Sequence, residues 1–339
     1  MWYGTCGKEN DTAVSTRVRL ARNLSGYPFD GRLTEEQAKE IIGKVWAVFA
    51  GKDGWTFTDF ASLPAVERAS YAERHIVSPD FAKKTGPRAL ISNEEKSVYI
   101  MVLEEDHIRV QAIAAGFDLP GTRQAVTEAA ELLEEALDIA YSEKLGYLTH
   151  CPTNLGTGMR ASVMLHLPAY TGAGGIRNLQ SQLSKMGLTI RGMTGEGSAA
   201  SGSLYQISNQ ITLGVTEEGV SAKLEDVITQ IIAKERELRG RIRRESLDAL
   251  SDRVMRGMGV MRYANSIGSG ELLSLYSDLR LGTALHLIEL PIEKLDEMLM
   301  RGMPNTICAE HEGTAAPADR DRVRAVLVRE ILDRVNTAE

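Results

Sequence analysis

The stretch 147–168 combines residue types that could bind an anion. Cys151 is followed by a proline, and Gly156 and Gly158 lead to Arg160 and then to an apolar run. Proline keeps the preceding residue extended or in a turn, and glycine adopts backbone angles closed to other residues. The apolar run is typical of a buried strand or short helix. The pattern predicts a guanidinium suited to an anion, although a surface loop with a salt-bridged arginine has the same pattern.

A second group of cations lies near the N-terminal end. Residues 14–20 alternate as a strand does, so Ser15, Arg17 and Arg19 share one face. The other face is expected to carry Val14, Thr16, Val18 and Leu20. Neighbouring guanidinium groups repel each other unless an anion lies between them. The run is therefore either part of an anion site or a solvated strand face with acids nearby.

Two glutamates follow predicted strands. The apolar run 97–103 predicts a buried strand, and Glu105 and Arg109 come directly after it, four residues apart. That spacing places the two side chains on one face of either a strand or a helix. Glu196 stands between two glycines after a strand predicted at 188–192. Both carboxylates could approach a ligand, but solvated turn residues would show the same pattern.

These segments also carry a resemblance. Cys-Pro-Thr-Asn-Leu-Gly-Thr-Gly-Met-Arg-Ala-Ser-Val at 151–163 resembles the signature of the phosphagen (ATP:guanidino) kinases, which move the ATP γ-phosphoryl group onto a guanidinium nitrogen. Ser-Thr-Arg-Val-Arg at 15–19, Glu-Glu-Asp-His-Ile-Arg at 104–109 and Arg-Gly-Met-Thr-Gly-Glu at 191–196 are similar to further motifs of the family. Leu103 stands where the family usually has Asn, and a leucine side chain cannot hydrogen-bond. The short segment before residue 15 and the Gly-Glu-Gly-Ser sequence resemble the bacterial branch.

A fifth motif lies at the start of the last predicted helix. Arg-Asp-Arg-Val-Arg-Ala at 320–325 resembles the phosphoarginine-binding motif of bacterial protein-arginine kinases. Spacing alone favours Arg–Asp pairing on a solvated helix face. Cations in a first turn oppose the helix dipole unless they and the free N–H groups hold an anion together. With this motif the resemblance extends over essentially the whole chain.

The resemblance implies three sets of site residues. The catalytic residues would be Glu105 as the base, Glu196 as the group that orients the guanidinium, and Cys151. The ATP site would comprise Ser15, Thr16, Arg17, Val18, Arg19, His75, Arg109, Arg160, Ala161, Ser162, Val163, Met164, Arg191, Gly192, Met193, Thr194, Gly195 and Glu196. The phosphoarginine site would comprise Arg320, Asp321, Arg324 and Ala325. No metal-binding side chain is expected, because Mg²⁺ would be held through the ATP phosphates.

The implied reaction explains why these residue types are needed. A phosphoryl group in transit spreads negative charge over its oxygens, and the chain has neither a Walker loop nor a dinucleotide glycine motif to stabilise it. Arginines would supply that positive field as bidentate donors. The acceptor guanidinium has no free lone pair, and removing its proton near neutral pH is uphill by about 7 kcal/mol. A carboxylate must therefore hold the guanidinium and accept the proton.

Composition excludes several other classes of function. A net charge of −7 over 339 residues argues against nucleic-acid binding as the main role. No apolar run approaches the ~20 residues of a membrane span, and the first residues do not form a signal segment. Cys6, Cys151 and Cys308 have no metal-ligand spacing. A cytoplasmic protein with reduced thiols is expected.

The periodicities predict an α+β fold. An antiparallel sheet flanked by helices, of the guanidino kinase or glutamine synthetase-like type, would occupy residues 1–240, and a helical C-terminal domain would occupy 241–339. Helices are predicted at 34–49, 122–144, 176–186, 224–242, 247–255, 271–281, 291–300 and from 318 on. A strand at 204–213 is expected to close the sheet, and 171–175 and 302–317 are expected to be connectors.

The main hypothesis is a protein-arginine kinase that uses Mg-ATP. The resemblance implies protein substrates that bear arginine, an activator protein and a Clp-type protease as partners, and a homodimer. Two alternatives stay open at this level: a kinase for free arginine or another small guanidino compound, and a non-catalytic phosphoarginine-binding protein.

Overall fold

A computed structural model of the protein describes residues 1–95, 97–193 and 201–336. Its strands are β1 (Ala13–Arg22), β2 (Trp55–Asp59), β3 (Ala89–Asn93), β4 (Val98–Val102), β5 (Ile108–Ala115), β6 (Tyr141–Ser142), β7 (Gly146–Tyr147), β8 (Met159–His166), β9 (Leu188–Gly192) and β10 (Leu204–Asn209). Eight of them form one antiparallel sheet in the order β2-β3-β4-β5-β1-β8-β10-β9, and β6 and β7 form a separate hairpin. The predicted antiparallel sheet is confirmed.

Helices cover both faces of this sheet. They are α1 (Glu35–Phe49), α2 (Ala65–Glu73), α3 (Pro79–Lys83), α4 (Leu119–Ala136), α5 (Pro168–Gly172), α6 (Ile176–Lys185), α7 (Glu217–Glu245), α8 (Leu247–Tyr263), α9 (Ser269–Ala284), α10 (Ile292–Arg301), α11 (Pro304–Glu310) and α12 (Pro317–Asn336). No helix of the described ranges is long and apolar enough to span a membrane.

The first face packs against α1, α4, α6 and α7. Val18 of β1 and Val163 of β8 lie in this core with Ile41, Leu133 and Ile228 from the helices. The start of α1 follows from its sequence, since Thr34 and Gln37 form a reciprocal capping box with the backbone. Along β1 and β8, every second side chain therefore faces this layer, and the side chains between them, which include the polar ones, face the opposite side of the sheet.

The second face packs against the C-terminal helices. Buried side chains of α8, α9, α10 and α12 form a core with Met101, Met164 and Leu204 of the sheet. Arg280 of α9, which is fully buried, pairs with Asp296 of α10 and donates to the carbonyl oxygens of Asn10 and Ala13. This contact ties the C-terminal helices to the residues that begin β1.

One residue of β1 faces the side opposite to the prediction. The pairing of β1 with β8 shifts register between Ala13 and Ser15, so Val14 is the extra residue of a β-bulge. Val14 packs in the second core with Met164, whereas Val18 lies in the first. Simple alternation placed Val14 beside Val18 because a bulge leaves no periodic signal.

Several element boundaries also differ from the sequence expectations. The helix predicted at 122–144 ends at Ala136, because Leu137 is extended and Ile139 forms a β-bridge with Leu24. The connectors expected at 171–175 and 302–317 overlap or contain the short helices α5 and α11. Strand β10 ends at Asn209, and β9 rather than β10 is the edge strand.

Candidate active site

Five arginines lie on one face of the sheet. Arg19 is directly opposite Arg160, and Arg17 is two residues away on the same strand. Arg109 pairs with Ala21, which shares the face of Arg19. Arg191 pairs with Gln206, and Gln206 with Met164, which is opposite Ser15. Since antiparallel partners point to the same side, strand register brings the predicted phosphate-binding arginines together from four strands.

The two arginines of β1 repel their neighbours. Burial, followed by the charges of Arg160 and Arg109, lowers the pKa of Arg17 to about 10. Burial and the charges of the nearby arginines also lower the pKa of Arg19 well below its usual range, while Glu104 opposes this shift. The buried Nε atoms of Arg17 and Arg19 have no hydrogen-bond partner within the described part of the chain. Orphaned donors in a field of like charge are the arrangement that an anion stabilises.

Arg109 is held by two carboxylates. Its guanidinium lies 2.7 Å from Glu104 and 3.0 Å from Glu105. Glu104 is buried and accepts a 2.6 Å hydrogen bond from Ser78, whereas the Glu105 side chain is 38% exposed. Glu105 can therefore reach an incoming group, and Glu104 acts as the buried partner of Arg109. Sequence spacing identified Glu105 and missed Glu104, because residues five apart share a face in neither a helix nor a strand.

A buried carboxylate joins the Glu105 segment to the Cys151 loop. Asp106 accepts hydrogen bonds of 2.7 Å from the Asn23 side chain and from the backbone N–H of His150. His107 accepts from the N–H of Leu24 at 3.1 Å and contacts the carbonyl of Pro28 at 2.8 Å, so its second ring nitrogen is the donor. Burial lowers the pKa of His107, which keeps the ring neutral in this role. These contacts fix both loops against the end of β1.

Leu103 has an apolar environment and a left-handed backbone. Its φ is 67°, its side chain is 1% exposed, and its N–H donates to the carbonyl of His107 at 2.8 Å. Asn tolerates this conformation better than Leu does. The side chain packs in the first core and takes no part in a polar network. The departure from the family motif thus affects backbone strain and packing.

The Cys151 loop depends on glycine at one position. Gly156 has φ 108°, and an added Cβ would lie 2.2 Å from the carbonyl oxygen of Thr212. Thr212 in turn donates to the carbonyl oxygens of Thr153 and Leu155 at 2.9 and 2.7 Å. The half-buried Cys151 has its Sγ 3.0 Å from the hydroxyl of Thr153. The loop is thus ordered by a backbone approach that no larger residue permits.

A cavity of about 630 Å³ adjoins the arginine face. Of the predicted ATP residues, Arg17, His75, Met164, Gly192 and Met193 line it. Other lining residues include Arg68, Ala72, Glu73, Gln206, Met300, Met303 and Asn305. Sequence reasoning missed this second set, since α2 and the C-terminal helices meet the sheet only in the folded chain.

His75 is held in a strained, neutral state at this cavity. Its φ is 61°, and Gln111 of β5 donates to the carbonyl oxygens of His75 and Ile76 at 2.9 and 3.1 Å. Burial and the charge of Arg17 lower the His75 pKa to about 4. Its buried Nε2 atom has no hydrogen-bond partner within residues 1–95, 97–193 and 201–336. A neutral imidazole with one free nitrogen can hydrogen-bond a ligand.

The other predicted ATP residues fall into three groups. The first group shares the arginine face and consists of Ser15, Arg19, Arg109, Arg160, Ser162 and Arg191. The Gln206 side chain donates to the Ser162 hydroxyl at 3.1 Å. The second group alternates with the first along β1 and β8 and consists of Thr16, Val18, Ala161 and Val163. The side chains of this group face the layer of α1, α4, α6 and α7, so they do not reach the arginine face. Thr194, Gly195 and Glu196 lie outside the described residues.

The predicted phosphoarginine residues lie at the start of α12. Arg324 is 1% exposed, pairs with Asp321 and donates to the carbonyl oxygens of Gly302 and Ile267, both at 2.6 Å. Arg320 is half-buried and donates to the carbonyl of Ala315. Ala325 is fully buried in the second core. The four residues thus lie within two adjacent turns of α12, with Arg324 buried and held by hydrogen bonds and Arg320 nearer the surface.

Family models and curated relatives match nearly the whole chain. A family model described as the C-terminal catalytic domain of ATP:guanido phosphotransferases matches residues 37–238, and one described as the C-terminal domain of protein-arginine kinase McsB matches 247–339. The protein-arginine kinase of Pelotomaculum thermopropionicum is 39% identical over 335 residues, which covers 97% of this chain and 94% of the relative. That of Brevibacillus brevis is 37% identical over 344 residues, with 100% and 96% covered.

A solved structure supports the same assignment. The crystal structure of a lombricine kinase superposes with a TM-score of 0.58 at 25% identity and covers 69% of each chain. The antiparallel sheet fold therefore has a counterpart among solved structures, and the helical C-terminal region matches a family model. The chain belongs to the ATP:guanido phosphotransferase family and, within it, to the protein-arginine kinases.

Proposed function

We propose that this protein transfers the γ-phosphoryl group of ATP to arginine side chains of proteins and so forms phosphoarginine. The observation that carries the proposal is the arginine face, on which Arg17 and Arg19 have orphaned Nε donors next to the Glu105–Arg109 pair. A polyphosphate would relieve the repulsion there, and Glu105 supplies the carboxylate that a guanidinium acceptor needs.

The five arginines would bind the phosphates of ATP. Bidentate N–H donors from β1, β5, β8 and β9 match the equatorial oxygens of a phosphoryl group in transit. Mg²⁺ would arrive with ATP, held through its phosphates. Because these cations are set by strand register, they require little reorganisation when charge develops in the transition state. His75, neutral and with a free nitrogen, would contact the nucleotide in the adjoining cavity.

Glu105 would act as the base. A nitrogen of the acceptor guanidinium attacks the γ-phosphorus, the bond to the bridging oxygen breaks, and ADP leaves with the electron pair. The proton lost from that nitrogen passes to the Glu105 carboxylate. Glu104 would keep Arg109 in place while Glu105 engages the acceptor, since Arg109 contacts both acids. Glu196 would orient the acceptor, and Cys151 would contact it from the loop tied to Asp106.

The turn at the start of α12 would bind phosphoarginine. Arg320 is the more accessible cation, and Arg324 with Asp321 would fix the shape of the turn. The proposed division of the chain places the catalytic unit at 1–240 and this binding unit at 241–339. Family membership also supports proposals about partners and location. We expect protein substrates that bear arginine, an activator protein and a Clp-type protease as partners, a homodimeric state and a cytoplasmic location.

Intact-mass analysis tests the function. An unfolded, arginine-rich protein and free arginine are incubated separately with the enzyme and Mg-ATP, and each is examined for an acid-labile gain of one phosphate. Phosphate on the protein is the expected result, and E105Q should abolish it while ATP binding persists. Transfer to free arginine alone would refute the protein-kinase assignment, and phosphoarginine binding without any transfer would leave only a reader protein.

A further inference from the structure

The C-terminal helices form one wall of the cavity beside the arginine face. Met300 lies in the last turn of α10, and Met303 and Asn305 lie at its junction with α11. Met164 and Met193 line the same cavity from the sheet side. The family model for the catalytic domain ends at residue 238, so this wall comes from a part of the chain outside that match.

A carboxylate fixes the position of this wall. Glu73 of α2 accepts four hydrogen bonds from the start of α11: from the N–H and side chain of Asn305 at 3.0 and 2.7 Å, and from the N–H and hydroxyl of Thr306 at 2.8 and 3.0 Å. Ser70 donates to the Thr306 hydroxyl at 3.3 Å. Glu73 itself lines the cavity. The wall is therefore anchored to α2, on the catalytic side.

The chemistry of the lining suits a planar aromatic group. Four methionines border the cavity, two from the sheet side and two from the C-terminal region. Thioethers are polarisable and make favourable contacts with aromatic rings. Arg17 lines the same cavity and also belongs to the phosphate-binding face. A nucleotide whose phosphates lie on that face would consequently direct its base toward the methionines.

We propose that the nucleotide base binds between the methionines of the sheet side and those of the C-terminal region, so that Met303 is a base-contacting residue. The inference rests on the proposed function in that ATP is the phosphoryl donor. It adds that the C-terminal helices complete the nucleotide site. Asn305 serves as a positioning residue, because its side chain and N–H hold the wall to Glu73.

Equilibrium binding to the full-length protein tests this inference. Met303 is half-buried, so M303A should fold, and its affinity for ATP should fall about tenfold through the loss of one buried thioether contact. Affinity for inorganic tripolyphosphate, which has no base, should stay unchanged. M303L, which conserves volume, should restore ATP affinity to within about twofold. M258A is the matched control, since Met258 is half-buried against the same core and does not line the cavity.

Kinetics supply the second readout. Contacts to the base are made equally in the ground and transition states, so M303A should raise KM for ATP and leave kcat unchanged. Unchanged ATP affinity in M303A would overturn the inference. Equal losses for ATP and tripolyphosphate would also overturn it, because they would place the effect on the phosphate face. In both cases a wild-type enzyme that still phosphorylates a protein would leave the proposed function intact.

Discussion

Removing one positive charge from the arginine face should stabilise the empty protein and destroy nucleotide binding. Burial and neighbouring cations lower the pKa of Arg17 from its ordinary value to about 10. At ~1.4 kcal/mol per pKa unit, this corresponds to about 3 kcal/mol against the charged form in the folded state. Arg17 is half-buried, and solvent screening together with lost side-chain packing reduces the expected gain. We expect R17M to raise the free energy of unfolding at pH 7 by about 1–2 kcal/mol.

The sign of this stability change follows from the linkage between proton binding and folding. Because the pKa of Arg17 is lower in the folded state than in the unfolded chain, the penalty is complete below about pH 10 and disappears as the pH rises toward the pKa of an arginine in the unfolded chain. Urea denaturation at pH 7 measures the gain. Differential scanning calorimetry with saturating ATP measures the loss of nucleotide binding, since ATP should raise the melting temperature of the wild type and not that of R17M.

A surface arginine provides the control. Arg256 pairs with Asp252 on α8, and its side chain is 77% exposed, so R256M should change stability by less than about 0.5 kcal/mol and leave ATP stabilisation intact. The reasoning is refuted if R17M proves less stable than the wild type by more than about 1 kcal/mol. It is equally refuted if ATP protects R17M as fully as it protects the wild-type protein.

Three further predictions concern the supporting residues. E104A should lower the free energy of unfolding by about 3 kcal/mol in urea titrations, because it removes the buried partner of Arg109. If E104A proves as stable as E105A, this prediction is contradicted. L103N should be destabilised by about 1–2 kcal/mol in the same assay, since a lost buried leucine outweighs relief of the positive φ; a gain in stability would show that strain dominates. The His75 pKa of about 4 lies below its unfolded value, so wild-type stability should fall from pH 6.5 to pH 4 more steeply than that of H75Q, and parallel pH profiles would disprove the shift.

Several local features could be predicted from the sequence. The capping box at Thr34, the buried strand before Glu105 and the pairing of Glu105 with Arg109 all depend on residues close along the chain. Period-two alternation placed Arg17 and Arg19 on one face correctly, because Arg17 to Arg22 pairs with β8 or β5 without another bulge. Such features follow from backbone geometry and short-range hydrogen bonds, which the sequence specifies directly.

Other features required the tertiary structure. The end of α4 depends on Ile139 pairing with Leu24, more than a hundred residues away along the chain, and helical periodicity carries no information about that partner. The bulge at Val14 appears only when β1 pairs with β8. Glu104 becomes the buried partner of Arg109 because the turn after β4 folds back toward β5, and nothing in a run of three acids distinguishes which one is buried.

The sequence by itself determined which side chains could hold phosphate and accept a proton, since these properties belong to residue types and their spacing on single strands. The tertiary structure decided that Arg17, Arg109, Arg160 and Arg191 meet on one side, because inter-strand register sets that proximity. It also decided that Met303 of the C-terminal region lines a cavity with His75 and Arg17. Long-range packing brings such residues together. The free energy that favours this packing arises from burial of side chains throughout the core.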